Sequence, residues 1–155
     1  MIWLPTVVSF GILFTLHQVH SVDVSHIAER KERVMATQAV QYATAVSNYM
    51  QNNPGINGSV STAQLTTLPT WFPKDCAGDV CFSSRIVSGR AYITVKSSTS
   101  RTVTMDALEA SHDGSLIVGM FLNSTGSFQS VKSGLLTLPT DSSVQINTPT
   151  LVVSQ

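Results

Sequence analysis

The chain has 155 residues, enough for one modest domain, and its 9 lysines and arginines balance 9 aspartates and glutamates. This neutral balance argues against a nucleic-acid surface, which would require clustered positive charge. Only 12% of the residues are charged, and the body is rich in Ser, Thr, Val and Gly. Such a composition is typical of a β-rich extracytoplasmic domain rather than a cytosolic helical enzyme.

The N-terminal segment, residues 1–21, is predicted to anchor the chain in a membrane. Ile2 to Leu16 carries no charge, and a helix from Ile2 to Val19 is just long enough to cross a bilayer. A signal peptide cleaved after Ser21 is the alternative, although no Lys or Arg precedes the apolar run. The basic cluster ERKER at 29–33 favours a cytoplasmic C-terminal side. The composition of the body favours the periplasm, and we predict an inner-membrane protein with a periplasmic C-terminal domain.

Within the anchor, Gly11 precedes an apolar stretch, as at the cleavage site of a type IV prepilin. Cleavage there would place Leu16 at the fifth mature position, where prepilins carry glutamate. The leader also lacks basic residues, and the apolar run left after cleavage would be too short to hold a pilin in the membrane. The sequence therefore argues against a standard prepilin site.

Residues 22–53 are predicted to form an amphipathic helix. From Val24 to Met50, apolar residues recur at steps of three and four and line one face. Pro54 and Gly55, in the sequence NNPG, end the helix. We expect its apolar face to pack on a sheet.

Residues 54–81 have the Gly and Pro content of a loop. Trp71 and Phe72 lie there between two prolines; we favour a role in plugging the end of the core over an exposed site for a partner. Cys76 and Cys81 are separated by four residues and are predicted to form a disulfide in an oxidising compartment. Reduced, inert cysteines are the alternative, because two thiols alone make a poor zinc site.

The remainder, residues 82–155, is predicted to be β-rich. A pair of strands or one bulged strand is indicated by SRIVSG and RAYITVKS, and a buried strand by DGSLIVGMFL. Strand-like alternation also occurs in RTVTMDALEA, with a short helix from Asp106 as the alternative. Final edge strands are indicated by SGLLTLPT and TPTLVVSQ. The predicted fold is α+β, with the N-terminal helix packed on an antiparallel sheet, a pilin-like architecture.

The sequence contains no motif for catalysis, cofactor binding or metal binding. It lacks a nucleophile elbow, a phosphate-binding glycine loop and a metal-spaced ligand cluster. His112, followed by Asp113 and Gly114, is expected in a hairpin turn. A periplasmic hydrolase would instead require a pocket that gathers His112 with an acidic residue and a serine. We therefore expect a protein that is not an enzyme.

The helix ATQAVQYATAVSNYMQNNPG, followed by AQL and LPTWF, resembles the PilM family encoded in the type IV (thin) pilus operons of conjugative plasmids. The resemblance covers essentially the whole chain. It implies an inner-membrane component of the basal body or pilin-transport apparatus that supports conjugation, with no catalytic residues.

The partners implied are other pilus-assembly proteins and the pilin, together with the membrane through the N-terminal helix. A homo-oligomer is left open. Because a helix laid on a sheet is also pilin architecture, the alternative is a minor pilin-like or pseudopilin-like subunit that enters the fibre.

Overall fold

A computed structural model describes residues 29–72, 80–97, 101–112 and 114–154. The predicted anchor, residues 1–21, lies outside these ranges. Within them, no helix combines the length and the apolar character that a membrane span requires. The chain divides into two compact units, Met1–Glu32 and Arg33–Gln155, and the second contains the entire sheet. The described part of the first unit is helical.

The described residues form two α-helices and one seven-stranded sheet. Helix α1 occupies 29–52. Helix α2 is Arg101–Ala110, and a 3-10 turn is Thr62–Gln64. The strands are β1 (Gly58–Val60), β2 (Val80–Val87), β3 (Arg90–Ser97), β4 (Ile117–Phe121), β5 (Ser127–Ser130), β6 (Gly134–Thr137) and β7 (Thr150–Ser154).

The strand order is β1-β2-β3-β7-β4-β5-β6, and every neighbouring pair is antiparallel. The α+β class with an antiparallel sheet, predicted from the sequence, is confirmed. β1 was not predicted, since its three residues lie in the stretch interpreted as a loop.

The main core lies between the apolar side of α1 and the face of the sheet that this helix covers. Three alanines of α1, Ala36, Ala39 and Ala43, are buried at helical spacing, and alanine's small side chain allows a helix to approach a sheet closely. The cluster also contains alternate residues of β3, namely Ala91, Ile93 and Val95, as the strand period of two requires. Within the described residues, the predicted packing face of α1 is therefore confirmed except at Val34, which is exposed.

The hairpin between β2 and β3 turns at Ser88 and Gly89, both of which have positive φ values, 50° and 75°. Two such residues in a row are typical of the type I′ turn, whose twist matches that of paired strands. The Asn57 side-chain oxygen accepts a hydrogen bond from the Ser88 N–H at 2.9 Å. Of the two alternatives that the sequence left open, the pair of strands is confirmed and the single bulged strand is wrong.

A second core lies on the opposite face of the sheet. Its aromatic rings pack edge to face: Tyr92 against Phe121 with centroids 5.2 Å apart, and Phe121 against Phe128 at 4.9 Å. Leu138 and Val152 are buried in the same cluster.

Hydrogen bonds tie the connection from β6 to β7, residues 138–149, to the strands, among them three to residues distant in sequence. The Tyr92 hydroxyl donates to the carbonyl oxygen of Pro139 at 2.5 Å. The Arg85 Nε donates to the Asp141 carboxylate, also at 2.5 Å. The Asn147 N–H donates to the Phe121 carbonyl oxygen at 2.8 Å. These bonds hold the long connection in place and bring β7 between β3 and β4.

Two sequence predictions are wrong in this region. RTVTMDALEA is a helix and not a strand. The alternative of a short helix was correct in type, but the helix begins at Arg101 and not at Asp106, and its buried Thr104 and Leu108 lie on one helical face. β7 is not an edge strand but a central one, because it pairs with both β3 and β4. Its four consecutive buried residues, 150–153, are typical of a strand covered on both faces.

Candidate interaction surface

Trp71 and Phe72 are neighbours in sequence but lie in different environments. The Phe72 N–H donates to the Pro69 carbonyl oxygen at 3.0 Å, which closes a tight turn between them. Phe72 is 2% exposed, whereas Trp71 is 64% exposed. The interpretation as a core plug therefore applies to Phe72, and the interpretation as an exposed partner site applies to Trp71.

Phe72 completes an aromatic cluster that joins α1 to β2. Its ring lies 5.9 Å from that of Tyr42 and 5.7 Å from that of Phe82, measured between centroids. The Tyr42 hydroxyl lies 3.3 Å from the Ser84 Oγ, which donates to the Val60 carbonyl oxygen at 3.2 Å. Since Ser84 uses its hydrogen for Val60, Tyr42 is the donor to Ser84. This cluster fixes the loop that carries Trp71.

Trp71 lines a shallow groove on the outer side of α1. The groove has a volume of about 260 Å³. The residues of α1 that line it are spaced so that they share one helical face. They are Arg33, Val34, Thr37, Gln38 and Gln41. Val34 is 58% exposed. An exposed Trp beside an exposed Val, rimmed by polar side chains, is the composition of a protein-binding patch. We refer to Trp71, Val34 and the four polar residues as the α1 groove.

The sequence predicts a hairpin turn at His112, but this residue lies in the connection between helix α2 and strand β4, and its side chain is buried. Its side chain is 2% exposed, and its Nε2 lies 3.3 Å from the Glu109 carboxylate. Its Nδ1 accepts the Gly114 N–H at 2.8 Å. Nδ1 therefore carries no proton, and the ring donates from Nε2 to Glu109.

The Glu109 carboxylate also pairs with the Lys132 ammonium. Burial raises the pKa of Glu109, but hydrogen bonds from Lys132 and His112 outweigh that effect and hold the pKa below its ordinary value. The contact joins α2 to the turn after β5. Its function is to secure that turn.

A cavity of about 500 Å³ is lined by His112, Ser111 and Ser115 together with the polar side of α1. The cavity gathers His112 with serines, but the acid beside His112, Glu109, is not among the residues that line it. The geometry does not suit a nucleophilic serine, because both ring nitrogens of His112 are already occupied. The Ser111 hydroxyl donates to the Leu108 carbonyl oxygen at 2.8 Å and not to His112.

In the part of the chain that the structure describes, no group of three or more His, Cys, Asp or Glu residues is arranged to hold a metal ion. Cys81 lies in β2, where it is paired in register with Lys96. Cys76 lies outside the described residues, so the Cys76–Cys81 disulfide stays a prediction.

Sequence reasoning missed Val34 and the pair formed by Glu109 and His112. The spacing of Glu109 and His112, i and i+3, indicates a contact only if α2 is recognised as a helix. Val34 was counted as part of the apolar stripe of α1 and belongs instead to its exposed side.

Comparison with known proteins gives one match. The sequence model of the PilM family matches residues 6–152, which is nearly the whole chain. Neither the curated proteins nor the solved structures provide a significant match.

Proposed function

Because the chain belongs to the PilM family and is therefore a protein of pilus biogenesis, we propose that it is a non-enzymatic component of a type IV (thin) pilus machine. In this proposal it belongs to the basal body or the pilin-transport apparatus and supports conjugation. Residues 1–21 hold it in the inner membrane, and the folded domain lies in the periplasm. There it binds other pilus-assembly proteins.

The observation that carries the proposal is the exposure of Trp71 in the α1 groove. Burying an indole of this size in water-free contact with a partner is strongly favourable, and Trp is enriched among residues that dominate binding energy. The Phe72 cluster holds the Trp71 backbone in place, so less conformational entropy is lost on binding. The groove thus has the features of a preformed docking site.

The test is Trp71→Ala in cells that assemble the pilus, with Leu122→Ala as the matched control. Leu122 is an exposed apolar residue, 45% accessible, and lies in the turn between β4 and β5. We expect Trp71→Ala to reduce assembled pili at least tenfold at unchanged protein level, and Leu122→Ala to leave them unchanged. Normal piliation in a stable Trp71→Ala, Val34→Ser double variant would contradict the role of the groove.

The disulfide and the periplasmic placement have their own test. The full chain taken from native membranes is labelled with a thiol reagent under denaturing, non-reducing conditions. We expect no labelling, because Cys76 and Cys81 form a disulfide in the oxidising periplasm. Two free thiols would contradict both the disulfide and the placement.

The second candidate is a minor pilin-like subunit that enters the fibre. The packing of α1 on an antiparallel sheet favours it, since that is pilin architecture. Intact mass and N-terminal sequencing of membrane-extracted protein distinguish the two. A mature chain that begins at Ile12 with an N-methyl group would favour the fibre subunit, and a chain retaining residues 1–11 would favour the machine component.

A further inference from the structure

A small cavity lies where the end of β3, the start of α2 and the segment that leads into β7 meet. Its volume is about 190 Å³, and the side chains that line it include Lys96, Arg101, Thr104 and Asn147. The Val95 N–H donates to the Pro149 carbonyl oxygen at 2.9 Å, which fixes two of the walls against each other. A single water requires roughly 10 to 15 Å³ of such space, so the cavity has room for a ligand of several non-hydrogen atoms.

Thr104 brings a buried hydroxyl group to this cavity. The residue is 1% exposed, and its Oγ1 has no hydrogen-bond partner among the described residues. Buried hydroxyl groups are normally paired, because an unpaired one has lost its bonds to water without replacement. Since Thr104 lines the cavity, an acceptor oxygen held there would supply the missing partner.

The surroundings of the cavity are positively charged. The first N–H groups of α2 have no carbonyl partner within the helix, and the helix dipole adds about half a positive charge at this end. The first turn of α2 contains no acidic residue that would offset this charge. Lys96 and Arg101 add two full charges, and neither forms an ion pair with a described residue. The cavity is therefore suited to an anion.

We propose that this cavity binds a phosphate group, and we name it the α2 pocket, defined by Lys96, Arg101, Thr104 and Asn147. The Arg101 guanidinium can donate paired hydrogen bonds to two phosphate oxygens, and the Lys96 ammonium supplies a second cation. The Thr104 hydroxyl donates from the buried side.

The charges at the α2 pocket favour a phosphate over a carboxylate. A phosphate monoester carries about −1.5 to −2 charges at pH 7, which matches two cations and a helix N-terminus, whereas a carboxylate carries a single negative charge. Phosphate groups occur in soluble phosphate esters and in lipid headgroups, and the experiment distinguishes these two sources. The α2 pocket is separate from the α1 groove, and the proposal does not rest on the proposed function.

The experiment titrates the full chain, purified in an uncharged detergent, with inorganic phosphate at constant ionic strength and follows the backbone amide signals by NMR. We expect saturable shifts at Arg101, Thr102 and Thr104, at the start of α2. Glycerol phosphate should bind as well as inorganic phosphate, and acetate at least tenfold more weakly. Phosphatidylglycerol added to the micelles is the lipid arm. Shifts of the same amides with this lipid would assign a lipid headgroup as a source, and their absence would assign soluble phosphates alone.

Variants separate a specific pocket from general attraction to positive charge. Arg101→Gln should weaken phosphate binding at least tenfold. Arg90→Gln is the matched control, because it removes the same charge from a residue of β3 that does not line the cavity, and it should change the affinity less than twofold. Thr104→Val keeps the side-chain shape and removes only the hydroxyl, so it should weaken binding at least threefold while the domain stays folded.

The absence of saturable shifts at millimolar phosphate would overturn the proposal. Equal losses of affinity in Arg101→Gln and Arg90→Gln, or unchanged affinity in Thr104→Val, would also overturn it. If either pocket variant does not fold, Lys96→Gln takes its place, with at least a fivefold loss expected and an unchanged affinity counting against the pocket. Trp71→Ala should leave the phosphate titration unchanged, so failure of the α1 groove and failure of the α2 pocket are distinguishable.

Discussion

At one end of the sheet, β1 is a three-residue edge with a cation beside it, since the Arg85 Nη1 donates to the Ser59 hydroxyl at 3.1 Å. At the other end, β6 is an uncharged edge with an exposed Leu135. Charge protects an edge from pairing, and since β6 is only one residue longer than β1, the charge distinguishes the two edges more than their length does. The β1 end also contacts α1 through Ser84 and the Tyr42 hydroxyl, whereas Leu135 has no such cover. The comparison shows that the β1 end is charged and packed against α1, whereas the β6 end is uncharged and exposes Leu135.

The largest effect on stability is expected from Phe72→Ala. Removing a fully buried ring leaves a cavity between Tyr42 and Phe82, and we expect unfolding to require about 4 kcal/mol less free energy. Trp71→Ala, one residue away, should change the free energy of unfolding by about 0.5 kcal/mol because the indole is exposed. Urea unfolding of both variants measures the contrast. Similar losses in the two would contradict the division between core and surface at this pair.

Gly119→Ala tests the packing of the β4–β5 pair, near the β6 end of the sheet, by the same measurement of urea unfolding. A methyl group at Gly119 would lie 2.1 Å from the Gln129 carbonyl oxygen and 2.6 Å from the Phe128 ring. Neither can move without disturbing the β4–β5 pair, so we expect a loss of about 3 kcal/mol. Ser124→Ala, in the exposed turn between these strands, is the control and should stay within about 0.5 kcal/mol. A near-neutral Gly119→Ala would show that the β4–β5 pair is loosely packed.

Tyr42→Phe should have a smaller effect, confined to the end of the sheet near α1. It removes the hydroxyl that donates to Ser84 but keeps the ring between Phe72 and Phe82. The expected loss is about 1 kcal/mol in urea unfolding. Tyr49→Phe is the control, since its hydroxyl only accepts an exposed hydrogen bond from Gln64, and it should be closer to neutral.

The smallest effect concerns the Glu109 contact that secures the turn before β6. The pKa of Glu109 in the folded protein is below its ordinary value. Its contribution to the free energy of unfolding is therefore present at pH values above the ordinary pKa of a carboxyl group, and it is lost as the pH falls through the folded pKa. Glu109→Gln should therefore cost about 0.5 kcal/mol at pH 7, because solvent screens the exposed Lys132, and the difference from wild type should shrink toward pH 3. Lys132→Met should raise the pKa of Glu109, as measured by an NMR titration. An unchanged pKa in that variant would contradict the role of Lys132.

The sequence alone was sufficient to predict which faces of α1 and β3 are buried, because these faces follow from local periodicity. The three- and four-residue steps of α1 and the alternation of Ala91, Ile93 and Val95 correspond to the buried faces observed. The end of α1 at NNPG, where Gly55 has a φ of +80°, was also predictable.

Features set by tertiary pairing were not predictable. The central place of β7 depends on the contacts of residues 138–149 with Tyr92 and Phe121, which are distant in sequence. The different exposures of Trp71 and Phe72 depend on the Pro69 turn. The position of β6 at the end of the sheet follows from the strand order, which the residue pattern of one strand does not reveal.

The central position of β7 has a consequence for folding. Among the described strands, β3 and β4 are joined through residues 150–154, which come after the other six strands in the chain. Until those residues have been synthesised, the two halves of the sheet cannot unite, and the facing sides of β3 and β4 remain without their partner. Such sequence-distant pairing slows folding and leaves strand edges open to aggregation. We therefore expect that the newly made domain is most vulnerable to proteolysis and misassembly before β7 inserts.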